Sequence, residues 1–382
     1  MVRAMNQEDA LYQQIYQRLL SSIEAGEYSD GRRLPTEKEL ARQYYVSRIT
    51  VQKAMRTLAE KGKVVRIPGR GSFAAGTLPA KQSIEMKPHR RVGLVMGGYS
   101  ATFGLKVLDG ALSMAEDSMI DLIVKDTRND QAKEEKMVRS LLNGACDGII
   151  IQPVNGELYS DTVLRAVLSG FPIVMLDRNM AGINAPFVGV NNEKLAYQVV
   201  EKLIAQHHEK IALLVTRNSH SSTLKERING YMQAHIDHHM PVNPEYMLLN
   251  LRNQAADENG EVNMERLIEL VRCFLQAHSE VTAIFGTEYI VSHAAYAALK
   301  QMHMEKKVAI VSFDCDSATG EDAQLAHVLQ PQYEMGECAV NIMAQLLNKK
   351  KLEKRTWILD GKWQDGPSLF EKQDEGELGM IG

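Results

Sequence analysis

The chain has 382 residues, of which 45% are hydrophobic and 24% charged, and its formal net charge is −4. It contains no apolar run long enough to cross a membrane, about 18 residues, and its first residues lack the apolar core of a signal peptide. The cysteines are scattered without a C-x-x-C pair, which argues against a disulfide framework or a zinc site. We therefore expect a cytoplasmic protein with no membrane partner.

Charge divides the chain into two parts of opposite sign. Residues 1–76 hold 13 Lys and Arg against 8 Asp and Glu, a formal charge of +5, whereas the remainder carries −9. A basic head on an acidic body is the asymmetry expected of a nucleic-acid reader joined to a domain with another task. The body is long enough to form such a domain by itself.

Two helices joined by a tight turn are predicted within the head. Thr36 followed by Glu39 forms a capping box, so a helix should begin there and run to Tyr44. After a short turn, Ser47 should cap a second helix that ends at Gly62. The apolar positions of that second helix have helical spacing: Val51, Ala54, Met55 and Leu58.

The segment after the second helix predicts a β-hairpin. Lys63–Ile67 and Ser72–Ala75 can form two short strands around the turn Pro68–Gly71. Together with the helices, this order predicts a winged helix-turn-helix, a fold that places one helix in the DNA major groove. The exposed start of that helix offers side chains that suit phosphates and base edges, namely Ser47, Arg48, Thr50 and Gln52.

The stretches LPTEKELA, VSRITVQKAMRTLAEKGKV and GRGSF resemble the DNA-binding domain of the GntR family of bacterial transcription regulators, over about residues 8–76. The resemblance implies that the starts of the second and third helices and the wing tip contact double-stranded operator DNA. The implied residues are Lys38, Ser47, Arg48, Thr50, Gln52, Gly69 and Arg70. The chain departs from the family at Gln52, where Arg is common, and at Ile49, where a polar residue is common, so an operator sequence cannot be carried over.

Residues 77–90 carry two prolines and no hydrophobic periodicity, and we interpret them as a linker. Over residues 91–382 apolar strands alternate with amphipathic helices, which predicts an α/β body of parallel sheets covered on both faces. The predicted strands are Val92–Met96, Leu122–Lys125, Gly148–Gln152, Ile173–Leu176, Lys210–Val215, Met247–Asn250, Ala283–Gly286, Val308–Phe313 and Ala326–Gln330.

Six of these strands become polar where they end, and ligands bind at the carboxyl ends of strands in such sheets. The polar ends are Tyr99–Phe103, Asp126-Thr127, Gln152-Pro153, Asp177-Arg178, Thr287-Glu288 and Asp314. Parallel strands bring their ends to a common edge, so the sequence predicts a shared cleft.

Stretches such as CDGIIIQPV, FPIVMLDRN, VAIVSFDCD and LAHVLQPQYEMGECAV resemble the effector-binding domain of LacI/GalR regulators and periplasmic sugar-binding proteins, over about residues 90–365. The resemblance implies two Rossmann-like lobes joined by three crossovers, with a small ligand, usually a sugar or nucleoside, between them. The implied effector residues are Phe103, Asp177, Arg178, Arg227, Glu288, Asp314 and Gln330. The chain departs from the pattern at Ala101 and Gly104, which replace an Asn and an aromatic residue, and at Thr287-Glu288, which replaces Asn-Asp.

Each implied effector residue has a chemical role in such a site. Phe103 would stack on the apolar face of a sugar ring, and Arg178 and Arg227 would donate to hydroxyls. Asp177 either touches the ligand or braces Arg178, and Glu288 pairs with a hydroxyl or with an arginine. Asp314 and Gln330 would contact the ligand from the opposite lobe.

The two regions together predict an α+β winged helix-turn-helix head followed by an α/β two-lobed, periplasmic-binding-protein-like (type I) body. This pairing resembles the arabinose-responsive repressors, which implies a homodimeric repressor of sugar-utilisation genes that a sugar such as L-arabinose releases from its operator. Activator action stays open, because the sequence does not fix where the operator lies relative to a promoter. A solute-binding protein that does not bind DNA is a further alternative, against which the winged head and the missing signal peptide count.

No catalytic or metal site is predicted, and an enzyme is not expected. The chain has neither a G-x-G-x-x-G after a strand nor a P-loop motif, so no nucleotide cofactor is expected. His235, His238 and His239 have loosely metal-like spacing, but no further ligand lies nearby in the sequence. We interpret the basic run Asn348–Arg355 as a solvated helix end.

Overall fold

The computed structural model describes residues 7–28, 32–67, 69–75, 89–154, 160–180, 182–216, 221–257, 261–315 and 325–372. The chain divides into two units, Met1–Pro88 and His89–Gly382, and each has its own hydrophobic core. Most of the predicted linker lies outside the described residues. Its last residue, Arg90, already belongs to the first strand of the body, so that strand begins earlier than predicted.

The described part of the head consists of three helices and a hairpin. They are α1 (Gln7–Glu24), α2 (Glu37–Gln43), α3 (Arg48–Glu60), β1 (Val64–Ile67) and β2 (Gly71–Ala74), with β1 and β2 antiparallel. The predicted capping box of α2 is confirmed, because the Thr36 hydroxyl accepts from the Glu39 backbone and the Glu39 carboxylate accepts from the Thr36 amide. One core holds the helices together, with Leu19, Leu40 and Leu58 fully buried.

The first lobe of the body is built on a parallel sheet whose described strands run in the order β13-β7-β6-β5-β3-β4. These strands are β3 (Arg90–Met96), β4 (Ile120–Asp126), β5 (Gly148–Ile151), β6 (Ile173–Leu176), β7 (Phe187–Val190) and β13 (Thr356–Leu359). Its helices are α4 (Leu105–Asp117), α5 (Gln131–Ser140), α6 (Asp161–Leu168) and α12 (Gln332–Leu347). Helix α12 comes late in the chain but packs on α4 and on β5 to β7.

The second lobe has a sheet of the same form, whose described strands run in the order β14-β12-β11-β10-β8-β9. These strands are β8 (Ile211–Leu214), β9 (Met247–Leu248), β10 (Ala283–Gly286), β11 (Ala309–Phe313), β12 (Ala326–Leu329) and β14 (Lys362–Gln364). Within this sheet, β14 pairs antiparallel with β12, and the other described pairs are parallel. Its helices are α7 (Asn192–Ala205), α8 (Ser222–Asp237), α9 (Leu251–Gln254), α10 (Met264–Ala277) and α11 (Tyr289–Gln301). The chain passes between the lobes after β7, after β12 and after β13, as the resemblance to two-lobed effector domains implied.

The central strands are buried along their whole length, as parallel strands covered on both faces must be. Every residue of β5, β6, β8 and β10 is buried. The three strands that the sequence did not predict, β7, β13 and β14, lack a long apolar run: β7 contains a glycine, and the other two alternate between exposed and half-buried residues. The predicted strand Met247–Asn250 is shorter than expected, because Asn250 has a left-handed backbone (φ +61°) and directly precedes α9.

Candidate functional site

A cavity of about 270 Å³ lies where the carboxyl ends of strands from both lobes meet. All seven effector residues implied by the sequence line it, and the first lobe contributes Phe103, Asp177 and Arg178 while the second contributes Arg227, Glu288, Asp314 and Gln330. The structure therefore brings the predicted set together around one space. Other lining residues that the sequence did not single out include Asn129, Thr216, Thr223, Arg252 and Tyr289.

A hydrogen-bonded chain fixes the wall of the first lobe. Asp177 directly follows β6 with a left-handed backbone (φ +60°), and its Oδ2 accepts from Gln152 Nε2 at 2.7 Å. The Oε1 of Gln152 in turn accepts from the Gly97 amide at 3.0 Å. Burial raises the pKa of Asp177, and the nearby Arg178 guanidinium opposes that increase. Asp177 is thus oriented by a glutamine on the neighbouring strand.

Arg178 lies in the same wall, where only some of its N–H donors have hydrogen-bond partners within the described ranges. Its Nη1 donates to Asn129 Oδ1 at 2.8 Å, whereas its buried Nε has no hydrogen-bond partner among the described residues. The Nε lies 3.9 Å from Asp177 Oδ2, which is too far for a hydrogen bond. Asp177 therefore contributes charge near Arg178, and one buried N–H donor of Arg178 is left unpaired in the described part of the chain.

The cavity wall of the second lobe has the same arrangement, an aspartate after a strand that accepts hydrogen bonds from a glutamine. Asp314 directly follows β11 with φ +55°, and its Oδ2 accepts from Gln330 Nε2 at 2.6 Å. Its Oδ1 accepts from the backbone N–H of Gln330 at 3.1 Å. Burial raises the pKa of Asp314, and the hydrogen bonds from Gln330 oppose the increase. The buried Oε1 of Gln330 has no partner among the described residues and offers an acceptor.

Arg227 is held in place by three contacts within the protein. On α8, its Nε donates to Asn192 Oδ1 at 2.9 Å and its Nη1 donates to the Thr287 carbonyl at 2.5 Å. Its guanidinium lies 3.8 Å from the centre of the Phe313 ring, a cation–π contact. Burial lowers its pKa, an effect that the nearby acidic residues oppose. Arg227 therefore joins α7, β11 and the residue after β10 in addition to lining the cavity.

Glu288 accepts a hydrogen bond from the Thr216 hydroxyl, and both side chains line the cavity. Among the described residues, its carboxylate forms no ion pair with an arginine, and its observed partner is a hydroxyl of the protein itself. Glu288 also stands at the start of α11 without capping it through its side chain. Its carboxylate is held by the lobe beside the cavity.

Phe103 lies half-buried in a loop that several hydrogen bonds hold in place. The Ser100 hydroxyl accepts from the Phe103 amide at 3.2 Å, and Gln332 at the start of α12 donates to the Thr102 carbonyl at 2.7 Å. Gly104 has φ +105°, and a Cβ there would lie 2.5 Å from the Gly98 carbonyl. Glycine at this position is therefore required by the turn that presents Phe103, which explains why no second aromatic residue stands there.

Some cavity residues and roles have weak sequence signals. Gln152 ends a predicted strand and is one of the polar strand ends expected at the cleft, but its residue type does not show that it orients Asp177. Arg252 lies in α9, a helix of four residues that is too short to be recognised by its periodicity. Asn129 reaches the cavity through a loop with a left-handed backbone (φ +55°).

In the head, five of the seven residues implied to touch DNA have exposed side chains: Lys38, Ser47, Arg48, Gln52 and Arg70. A sixth, Gly69, lies in the wing turn with φ +76°, a left-handed value that favours glycine. Arg48 is 71% exposed, and its Nε lies 3.7 Å from Glu37 Oε2, while Arg66 donates to the other oxygen of Glu37 at 3.2 Å. Glu37 thus holds two arginines on one side of the head.

Thr50 differs from the role that the sequence implied. It is only 9% exposed, and its Oγ1 lies 2.8 Å from Ser47 Oγ, which also accepts from the Thr50 amide. This is the N-terminal cap of α3, and the hydroxyl expected to reach DNA is used inside it. The structure therefore gives Thr50 a part in positioning the start of α3.

The remaining candidates are structural. His235 is buried, with its Nδ1 2.9 Å from the Tyr231 carbonyl, and His238 Nε2 lies 3.7 Å from a Glu201 oxygen. Within the described ranges, no group of three or more His, Cys, Asp or Glu side chains is arranged to hold a metal ion. In the same ranges, every helix is too short or too polar to span a membrane.

Both units match established protein families. Residues 92–351 match the family model described as periplasmic binding protein domain, and residues 11–73 match that of bacterial regulatory proteins, gntR family. Since the first match spans more than half of the chain, the chain belongs to the periplasmic binding protein domain family, and a GntR-type domain at its N-terminus indicates DNA binding. The predicted class, a DNA-binding transcriptional regulator, is confirmed.

Similar proteins include named transcriptional repressors. The chain is 25% identical over 351 residues to the arabinose metabolism transcriptional repressor of Geobacillus stearothermophilus, across 90% of this chain and 93% of that protein. It is 23% identical to the ribose operon repressor of Haemophilus influenzae, across 86% of this chain and 96% of that protein. The crystal structure of the transcription regulator CcpA of Lactococcus lactis aligns with a TM-score of 0.63 at 21% identity, over 73% of this chain and 98% of that one. The predicted two-lobed fold is confirmed by this likeness.

Proposed function

We propose that this protein is a repressor of sugar-utilisation genes whose body binds a monosaccharide, with L-arabinose as the first candidate, and whose head binds a two-fold operator as a homodimer. The observation that carries the proposal is the single cavity lined by all seven implied effector residues, in a chain that begins with a GntR-type head. The similarity to arabinose and ribose repressors supports a pentose. A cavity of about 270 Å³ lies at the lower end of small-molecule sites, which favours a monosaccharide over a disaccharide.

The cavity offers complementary groups for a polyhydroxylated ring. The Arg178 Nε donor and the Gln330 Oε1 acceptor come from opposite lobes, and neither has a partner among the described residues. A sugar hydroxyl both donates and accepts, so it satisfies either group. Phe103 adds an apolar face at the first lobe, and Glu288 and the two aspartates supply further acceptors.

The head would bind DNA through the exposed face at the start of α3 and through the wing. Arg48 and Gln52 would reach base edges, while Lys38, Ser47 and the wing residues Gly69 and Arg70 would contact phosphates. Thr50 would act through the cap of α3. A homodimer follows from the few contacts that one winged module makes, since two-fold operators suit two-fold proteins.

The test combines a ligand screen with an operator-release assay. A thermal-shift screen of the full chain against pentoses, hexoses, disaccharides and nucleosides should single out one compound, which at 100 times its Kd stabilises the protein by roughly 2.7 kcal/mol. The same compound should release the protein from DNA duplexes selected for binding. Retention of DNA in the presence of the bound compound would favour activator action, and absence of DNA binding would favour a solute-binding protein.

A further inference from the structure

Ile49 is an anomaly on α3. The other large apolar side chains of this helix, Val51, Met55 and Leu58, are buried in the core of the head, with 0–1% of their surface exposed. Ile49 is 77% exposed. A single exposed apolar residue is common on protein surfaces and needs no explanation by itself. The position of Ile49 on the helix is what distinguishes it.

Ile49 stands in the first turn of α3, between side chains that suit nucleic acid. Arg48 precedes it with 71% of its side chain exposed, and Gln52 follows three residues later, also exposed. Residues three apart are neighbours on a helix surface, so Ile49 and Gln52 share one face. A β-branched residue has no helix-forming advantage at an exposed position, so the helix itself gives no reason for it.

The major groove displays one apolar group among its four standard bases, the C5-methyl of thymine. An exposed isoleucine beside an arginine and a glutamine can contact that methyl while its neighbours hydrogen-bond to base edges. We propose that Ile49 is a specificity-determining residue that recognises a thymine methyl group in each operator half-site. This inference rests on the proposed function, since it requires the head to bind DNA.

The experiment removes the methyl group alone. A duplex is first selected from a randomised pool with the full-length protein, and each thymine of the enriched half-site is then replaced by deoxyuridine. Binding of the wild type should weaken by about fourfold at one thymine, the value of one buried methyl group, and by about 16-fold when both half-sites are changed. In Ile49→Ala, the two versions of that duplex should bind equally, with the other thymine positions unaffected.

Two further variants show that any effect is specific. Ile49→Val keeps a branched side chain at the same place and should retain part of the preference for thymine. Leu168→Ala removes another side chain that is 77% exposed, on α6 of the body, and should leave the preference unchanged. Because Ile49 is exposed and alanine favours helices, Ile49→Ala should fold as well as the wild type, which circular dichroism checks.

The outcomes separate this inference from the proposed function. If duplexes are enriched but no thymine shows a penalty, or if the penalty persists in Ile49→Ala, Ile49 does not recognise a methyl group while the operator-binding function stands. Failure to enrich any duplex would overturn both.

Discussion

Asp177 and Asp314 occupy equivalent places in the two lobes, each directly after the fourth strand of its sheet counted from the edge strand β4 or β9. Both have left-handed backbones, with φ +60° and +55°, and both carboxylates accept from a glutamine amide. Such a backbone is unfavourable for a residue with a Cβ and persists where the surroundings enforce it, as at ligand sites. The occurrence of the same aspartate–glutamine pair in both lobes suggests that each lobe presents a fixed carboxylate to the same ligand.

The raised pKa of Asp314 predicts how its replacement changes stability. Because burial raises this pKa above the ordinary value of 3.8, the folded state favours the protonated carboxyl, and the stabilisation it gives at low pH is lost as pH rises. Asp314→Asn keeps an acceptor for Gln330 without the charge. We expect the ligand-free variant to unfold at a higher temperature than the wild type at pH 7, with a difference that shrinks toward pH 4.

Thermal unfolding of both proteins between pH 4 and 8 measures this effect. Asp117→Asn, at an exposed position on α4, is the matched control and should show no such trend. A variant that is less stable than the wild type at neutral pH would mean that the hydrogen bonds from Gln330 and the attraction to Arg227 outweigh burial of the charge.

Arg48 should make a large contribution to operator binding. Its side chain is 71% exposed, so Arg48→Ala should not unfold the head, but it should weaken operator binding by about 1–3 kcal/mol if Arg48 reads a guanine edge. In that case discrimination relaxes at one position in each half-site. If Arg48 contacts only phosphate, affinity falls uniformly across sequences and the salt dependence decreases by about one unit of slope per contact.

Binding titrations on selected and scrambled duplexes at several salt concentrations separate these cases. Arg56→Ala, on the same helix and 78% exposed in its side chain, is the control, because it lies two turns farther along α3. Unchanged affinity and salt slope in Arg48→Ala would show that the start of α3 does not face DNA.

The sequence predicts the role of a residue only where that role follows from the residue's position along a helix or strand. The acidic strand ends Asp177 and Asp314 follow apolar strands, and parallel topology brings such ends together. The internal bonds of Arg227 to Asn192 and Thr287 depend on packing between elements far apart in the chain, which no local pattern records. A threonine in the first turn of a helix suits DNA contact and capping equally well, so the sequence alone does not show that Thr50 completes the cap of α3.

At the scale of elements, the close approach of α4 and α12 stabilises the first lobe. A Cβ on Gly110 would lie 2.0 Å from the Tyr333 carbonyl, and one on Gly336 would lie 2.1 Å from the Val107 carbonyl. Each glycine therefore lets the backbone of one helix contact the other. Because the obstacle is backbone, it cannot move aside as a flexible side chain would.

Gly336→Ala should therefore destabilise the body although alanine favours helices. The gain in helix propensity is at most about 1 kcal/mol, whereas overpacking costs about 1–3 kcal/mol or more, so a net loss is expected. Urea unfolding followed by far-UV circular dichroism measures it. Asn341→Ala, at an exposed position of the same helix, should leave stability unchanged or raise it, and equal behaviour of both variants would contradict the close contact.

Most strands buried on both faces were predictable, because an apolar run of about four to eight residues between turn signals favours a strand. Strand β7 is also buried, but a glycine interrupts its short apolar run, and the sequence did not predict it. Strand β13 was not predictable, since the residues of TWIL alternate between exposed and half-buried and pair with β7, far earlier in the chain. Strand β9 was overestimated because the backbone turns at Asn250, a change of conformation that an apolar run does not show. The sequence therefore predicts central elements better than edges.

At the scale of the whole molecule, the proposed function requires coupling between the cavity and DNA. A ligand shifts a conformational equilibrium only by as much as it prefers one state, and a cavity lined by both lobes supplies a preference for the state in which both contact the sugar. Linkage then requires operator to weaken sugar binding by the same factor by which sugar weakens operator binding. Four dissociation constants on the wild type test this equality.

Phe103→Ala should reduce that coupling factor as well as the affinity for sugar. Phe103 is half-buried in the first lobe, and we expect its ring to touch the sugar fully only when the second lobe is also engaged, so its loss penalises the sugar-preferring state most. The variant should bind operator as the wild type does and need more sugar for release. Phe171→Ala, another half-buried phenylalanine of the first lobe that does not line the cavity, is the control. Weaker sugar binding with an unchanged coupling factor would mean that Phe103 touches sugar equally in both states, and lost operator binding without sugar would mean that the ring has a structural role instead.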